Sequence, residues 1–270
     1  MRRVALGLLM AIALVGRAAM SEAAETVLLH AAGSLRGSLD EIAAAYEKAT
    51  GVKVIAKYGA SGTLREEIER GAKAEVFASA NMAHPVMLSR AGKSSPVALF
   101  ARNQLCALVR PGLRVTPSNL LDRMMDAQTK VGTSTPRADP SGDYAWEVFR
   151  KADAQRTGAF AALSHKALQL VGSPTSATAP AGRSLYGMLV SQGRADMFLT
   201  YCTNAMEAVK ENPGQQMIAL PDNLAVGADY GLTVMNPASP AAYRFALFIL
   251  SGDAQRILAN HGFAASGVPR

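Results

Sequence analysis

The stretch VLLHAAGSLRGSLDEIAAAYEKATGVKVIAKYGASGTLREEIERGAKAEVFAS, residues 27–79, decides the fold class. It opens on a short β-like run, Val27 to His30, and passes through Ala31-Ala32-Gly33 to Ser34. From there Leu35, Leu39, Ile42, Ala43 and Tyr46 recur at helical spacing, and Gly51 supplies a stop. Val52 to Tyr58 alternates as a second strand, and Gly59-Ala60-Ser61-Gly62 is a small-residue turn. Thr63 to Glu66 has the Thr-x-x-Glu spacing of a capping box. The short helix that follows carries Leu64 and Ile68, Gly71 ends it, and Ala74 to Ser79 reads as a third strand. This β-α-β-α-β succession predicts a mostly parallel sheet with helical crossovers, an α/β protein. Ligands of such sheets bind at the loops beyond the carboxyl ends of the strands. Ser34 and Ser61 both lie on loops of that kind, each just before a helix.

Downstream, Gln104 to Arg110 is an apolar strand closed by Pro111-Gly112, and a second α/β block begins near Val115. Residues 133–142, TSTPRADPSG, form a turn-rich loop leading into a helix over Asp143 to Lys151. A helix over Gly182 to Gln192, a strand over Ala195 to Tyr201, a polar turn at Cys202-Thr203-Asn204, a strand over Gly231 to Met235 and a terminal helix over Ala241 to Ala259 complete the reading.

At the N-terminus, Arg2 and Arg3 precede an apolar run from Val4 to Val15, and Ser21-Glu22-Ala23 fits a small-residue cleavage site. The run is shorter than the ~20 residues a membrane span needs. Residues 1–23 therefore read as a signal peptide cleaved near Ala23 or Ala24, with an exported, periplasmic mature chain. The chain is 49% hydrophobic and 6% aromatic, a balance that suits a globular α/β protein and offers few rings for stacking on nucleic acid. Its net charge of +7 is spread singly among acids rather than gathered in a stripe, so a nucleic-acid partner is not expected. Cys106 and Cys202 fall in apolar segments that read as neighbouring strands; in an oxidising compartment they form a disulfide or remain two buried thiols.

A helix start offers unpaired N–H groups and the positive end of the helix dipole, so a hydroxyl and small residues placed there suit an anion. Ser34 and Ser61 have that setting, flanked by Gly33 and Gly62, and Ser141 sits on a third such loop. One serine of this kind is ordinarily a cap; two on successive crossovers point to a ligand. Enzyme readings are weaker. Gly59-Ala60-Ser61-Gly62-Thr63 departs from G-x-S-x-G at its last position, and His30, His84, His165 and His261 are scattered. No dinucleotide-binding or P-loop string occurs, so no cofactor is expected, and no metal-ligand spacing is present. Asp139 and Asp143 read as turn and helix-start residues. Tyr201, ending its strand, reads as structural or as closing over a ligand, and Arg183 as a solvated charge or an anion partner.

The segments HAAGSLRGSLDEIAAAYEKATGVKV (30–54), YGASGTLREEIERGAKAEVFASAN (58–81), ADMFLTYCTNA (195–205) and HGF (261–263) resemble the periplasmic molybdate-binding proteins of ABC importers. The likeness spans nearly the whole mature chain. It implies a two-lobed periplasmic-binding-protein clamp, with residues 24–103 and 223–270 in lobe 1 and 104–222 in lobe 2. It also implies a monomeric protein that performs no chemistry and hands a small tetrahedral oxyanion, molybdate or tungstate, to ABC importer membrane subunits. Carried over by motif, Ser34 and Ser61 would donate from the first lobe, and Ser141, Arg183 and Tyr201 from the second. In that family the positions of Ser141 and Arg183 commonly hold small or aliphatic residues donating through backbone N–H. A charged Arg183 at the site would favour a different anion, a small carboxylate or a phosphate compound, and Cys202 likewise departs from the common pattern.

Overall fold

The computed structural model describes residues 25–265 except Pro174 and Ala181; the expected signal peptide, 1–23, lies outside the described residues. Strand β1 (Thr26–Ala32) leads through a 3-10 turn (Gly33–Leu35) into α1 (Arg36–Thr50), followed by β2 (Lys53–Gly59), α2 (Ser61–Glu69), β3 (Val76–Ser79) and α3 (Ala83–Arg90). Helix α1 forms because Leu39, Ile42 and Tyr46 share one buried face. It ends where Gly51 takes the left-handed conformation, φ 76°, that costs glycine little. β1 pairs in parallel with both β2 and β3.

The long strand β4 (Ala98–Val109) joins the two lobes. Over Ala98 to Gln104 it runs antiparallel to β9 (Gly227–Val234), which in turn pairs with β3. Over Leu105 to Val109 it pairs instead with β7 (Met197–Tyr201) and, over Cys106 to Val109, with β8 (Gln216–Ala219). The second lobe adds α4 (Leu120–Met125), β5 (Val131–Ser134), α5 (Pro140–Gln155), α6 (Ala159–Lys166), β6 (Leu168–Val171), α7 (Leu185–Ser191) and α8 (Cys202–Glu211). Here β5 lies parallel to both β6 and β7. The chain returns through β9 to α9 (Pro240–Ile249), α10 (Gly252–Asn260) and the short β10 (Ala264–Ala265) on the first lobe. The result is a two-lobed α/β clamp. Each lobe keeps parallel strands whose carboxyl ends carry its helix starts.

Several elements differ from expectation for local reasons. The strand expected at Gln104 begins at Ala98, because it serves both lobes. The expected capping box is not formed: α2 starts three residues earlier than that box implies, at Ser61, with Ala60 as a cap that makes no side-chain bond. Helix α5 starts at Pro140, where Asp139 caps it by accepting from the Ser141 N–H, so Ser141 sits in its first turn. Cys202 opens a helix instead of a turn. The single terminal helix is two, because the Ser251 hydroxyl accepts from the Ala254 N–H and starts α10 afresh.

Cys106 on β4 and Cys202 at the head of α8 are disulfide-bonded, with Cα atoms 4.8 Å apart. Their separation of 96 residues means the cross-link restricts the unfolded chain by roughly 4–5 kcal/mol in chain-entropy terms. The bridge also fixes α8 to β4 immediately after Tyr201.

Candidate functional site

Ser34, Ser61, Ser141 and Tyr201 come from four parallel strands, two in each lobe. Ser34 lies in the 3-10 turn after β1, Ser61 is the first residue of α2 after β2, Ser141 lies in the first turn of α5 after β5, and Tyr201 ends β7. The lobes meet at these helix starts. The Gly62 N–H donates to the Ala138 carbonyl at 2.9 Å, bringing the head of α2 against the loop that leads into α5. The approach is so close that a Cβ on Gly62 would lie 2.2 Å from the Arg137 carbonyl oxygen and 2.7 Å from that of Ala138. Arg137 holds a positive φ of 68°, which is rare for a side chain of this kind, and the Asp143 carboxylate accepts from its N–H at 2.8 Å.

Ala80, just beyond β3, is the second bridge between the lobes. Its N–H donates to Ser61 Oγ at 3.1 Å, and its carbonyl accepts from the hydroxyls of Tyr201 at 3.4 Å and Tyr144 at 3.5 Å. Because Ser61 Oγ accepts this bond, its own proton remains available for donation. Burial holds the Tyr201 phenol well above its ordinary pKa, so it too stays a proton donor. Ser34 Oγ pairs with the Tyr230 hydroxyl at 2.9 Å, and the Tyr201 and Tyr230 rings are 5.6 Å apart. The two first-lobe serines are thereby connected through Ala80, Tyr201 and Tyr230.

Ser141 Oγ is fully buried and has no hydrogen-bond partner among the described residues. Thr133 Oγ1, on the strand that feeds the same helix, is in the same condition. An unsatisfied buried hydroxyl costs about 1–3 kcal/mol, so Ser141 Oγ, in the first turn of α5, is a donor without an acceptor.

Arg183 stands apart from this constellation. It precedes α7 rather than lying in its first turn; its guanidinium pairs with Glu211 and its N–H donates to the Pro180 carbonyl at 3.1 Å. The Ser184 N–H is held by the other Glu211 oxygen at 2.6 Å. Glu211 thus engages the positive charge that sequence reasoning offered to a ligand. The residues that sequence reading passed over are Asn103, Tyr144 and Tyr230. Tyr230 fell just outside the strand expected from Gly231, although a buried tyrosine that needs a hydroxyl partner is a usable signal.

Asp139 is the buried acid beside the site. Burial pushes its pKa up to about 6, partly opposed by the Ser141 N–H it accepts. Since its unfolded value is near 3.8, the native state takes up this proton first, and stability from Asp139 is lost as pH rises through about 4 to 6. Asp139→Asn keeps a good capping residue without the charge. The variant is expected to be more stable than the parent by about 2–3 kcal/mol at pH 8 and to converge with it below pH 4, as read by urea unfolding. Among the described residues no group of three or more His, Cys, Asp or Glu is placed to hold a metal ion. Ser61 Oγ is engaged by a backbone N–H rather than by a histidine, while His84 is held down to about 4, chiefly by burial.

Residues 27–264 match the family described as bacterial extracellular solute-binding protein. The chain belongs to that family. Among relatives of this solute-binding protein, an uncharacterized protein of Pasteurella multocida, PM1146, is 31% identical over 86% of this chain and 96% of its own. The molybdate-binding protein ModA of Escherichia coli is 25% identical over 95% of each chain. In fold, the clamp is similar to the periplasmic molybdate-binding protein of Azotobacter vinelandii, with a TM-score of 0.73 and 20% identity over 90% of this chain and all of that one. It is also similar to the sulfate-binding protein SubI of Mycobacterium tuberculosis, with a TM-score of 0.72 and 19% identity over 90% and 88% of the two chains.

Proposed function

We propose that this solute-binding protein works in the periplasm, where it captures a small, fully deprotonated tetrahedral oxyanion of the molybdate and tungstate class and delivers it to an ABC importer. The observation that carries the reading is the convergence of two helix starts from opposite lobes, each bearing a serine, joined by the Gly62 to Ala138 bond. Helix starts and hydroxyls give neutral donors, which suit a ligand that only accepts. Ser34, Ser61 and Ser141 are the donors in this reading, joined by Tyr201 when its hydroxyl proton turns from the Ala80 carbonyl to the ligand, and the 25% identity to a molybdate-binding protein over nearly the full chain supports its choice of anion. Arg183 is left out of direct contact, since Glu211 holds its charge. The second reading is the same clamp taking a carboxylate or phosphate compound, for which Arg183 would exchange its exposed pairing with Glu211 for the ligand.

The test is a thermal-shift series on ligand-stripped protein. A ligand present at about 100 times its Kd adds about 2.7 kcal/mol to stability. Molybdate and tungstate are expected to give that shift, while sulfate and phosphate at the same concentration give little. Stabilisation by a phosphate or carboxylate compound in place of molybdate would reassign the pocket.

A further inference from the structure

We propose that the clamp takes up a proton on Asp139 as it captures its dianion, so that this buried acid, rather than the ligand donors, sets how capture depends on pH. The inference rests on the site reading above. Asp139 caps α5, and its Oδ1 accepts from the N–H of Ser141 at 3.0 Å. It therefore lies directly behind the second-lobe serine whose buried hydroxyl has no partner. Gly172, just beyond β6, seals it from another side: at φ 89° it comes so close that a Cβ there would lie 2.6 Å from the Asp139 Cβ. The charge that acts on Asp139 is another acid's, Asp143 in the first turn of the same helix, while Arg137 and Arg150 act on Asp143. Burial chiefly, with the Asp139 charge adding to it, holds the protons on the phenols of Tyr186 on α7 and Tyr201 at the end of β7.

An ionised carboxylate behind Ser141 and within electrostatic reach of Tyr201 repels a dianion held by those same residues, and buried surroundings screen little of that repulsion. The least costly response is protonation, because burial already lifts Asp139 to about 6 before any anion adds its charge. The added proton meets a partner. Oδ1 goes on accepting from Ser141, and the Ser134 hydroxyl beside the carboxyl turns from donor to acceptor. The proton comes from the buffer, so the doubly charged anion and one proton enter together and the complex gains a single negative charge. The free protein loses this proton as pH rises through about 6 and the complex loses it only at higher pH, so affinity is steady below about 6 and falls between the two.

The experiment is calorimetric titration of the ligand-stripped protein with molybdate at pH 7.5 in buffers of different ionisation enthalpy, which counts the protons taken up, together with Kd from pH 6.5 to 8.5. The parent is expected to take up about half to one proton per molybdate, and its Kd to weaken about tenfold or more across that range. Asp139→Asn keeps the helix cap and both hydrogen bonds but cannot take a proton. It is expected to take up none, to hold its Kd within about twofold from pH 6.5 to 8.5, and to bind more tightly than the parent at pH 8.5 by about tenfold or more. A cap with a structural role alone would give the opposite sign, weaker binding at every pH on substitution. Molybdate bound by the parent with no proton uptake and a flat Kd would overturn the inference and leave the site reading intact. Uptake that persists unchanged in Asp139→Asn would overturn it too, by placing the proton elsewhere. Failure of the parent to bind molybdate at all would overturn the site reading and this inference with it.

Discussion

Gly62→Ala is expected to weaken molybdate binding roughly a thousandfold while leaving the ligand-free protein as stable as before or slightly more so. The added methyl would sit 2.2 Å from one backbone carbonyl oxygen and 2.7 Å from the next, both on the opposite lobe. Backbone in this position cannot swing aside like a side-chain tip, so the lobes stay apart. An anion then keeps the donors of only one lobe. Losing two or three charge-assisted hydrogen bonds at about 1.5–3 kcal/mol each amounts to about 3–9 kcal/mol, a range that includes the about 4 kcal/mol of three powers of ten. The lobe itself is not harmed, because alanine is a better helix residue than glycine in the first turn of α2. Titration with molybdate and a melting curve without ligand separate these effects. An unchanged Kd would show that the contact between Gly62 and Ala138 is not needed for capture.

Ser34→Ala combined with Ser61→Ala is expected to cost a comparable factor by a different route. Closure remains possible, but two hydroxyl donors are gone, about 3–6 kcal/mol for bonds to a charged acceptor. The Ser61 change has a further consequence, since the buried Ala80 N–H loses the acceptor it has at 3.1 Å. The ligand-free melting temperature is therefore expected to fall by a few degrees for the pair and by less for Ser34→Ala alone, which takes one partner from the buried Tyr230 hydroxyl and leaves the bond from Asn103. Affinity retained in the double variant would remove both serines from the site.

The elements legible in the sequence are those whose signals are local. Gly51 after a 3.6-residue apolar pattern marks the end of α1, and serines following β-like runs mark the starts that β1 and β2 feed. What could not be read depends on contacts far along the chain. β4 gains its first six residues by pairing with β9, more than 120 positions later. The Thr63-to-Glu66 spacing is outweighed because Ser61 and Gly62 are drawn into bonds with Ala80 and Ala138, which start α2 early. Arg183 and Glu211 are 28 residues apart, so the sequence offered the charge without its partner. Tyr230 and Asn103 are 127 residues apart and meet only because β9 pairs with β4. Glycine shows the same limit: Gly62 reads as one small residue in a turn, and only the facing carbonyls reveal that no larger residue fits.

The measurement that tests the central claim most directly is an equilibrium titration of ligand-stripped protein with molybdate in the presence and absence of a large excess of phosphate. One site per chain, saturating with molybdate, displaced by tungstate and unaffected by phosphate, is the expected result. No molybdate binding, or binding that phosphate abolishes, would contradict a clamp of neutral donors built for a fully deprotonated oxyanion.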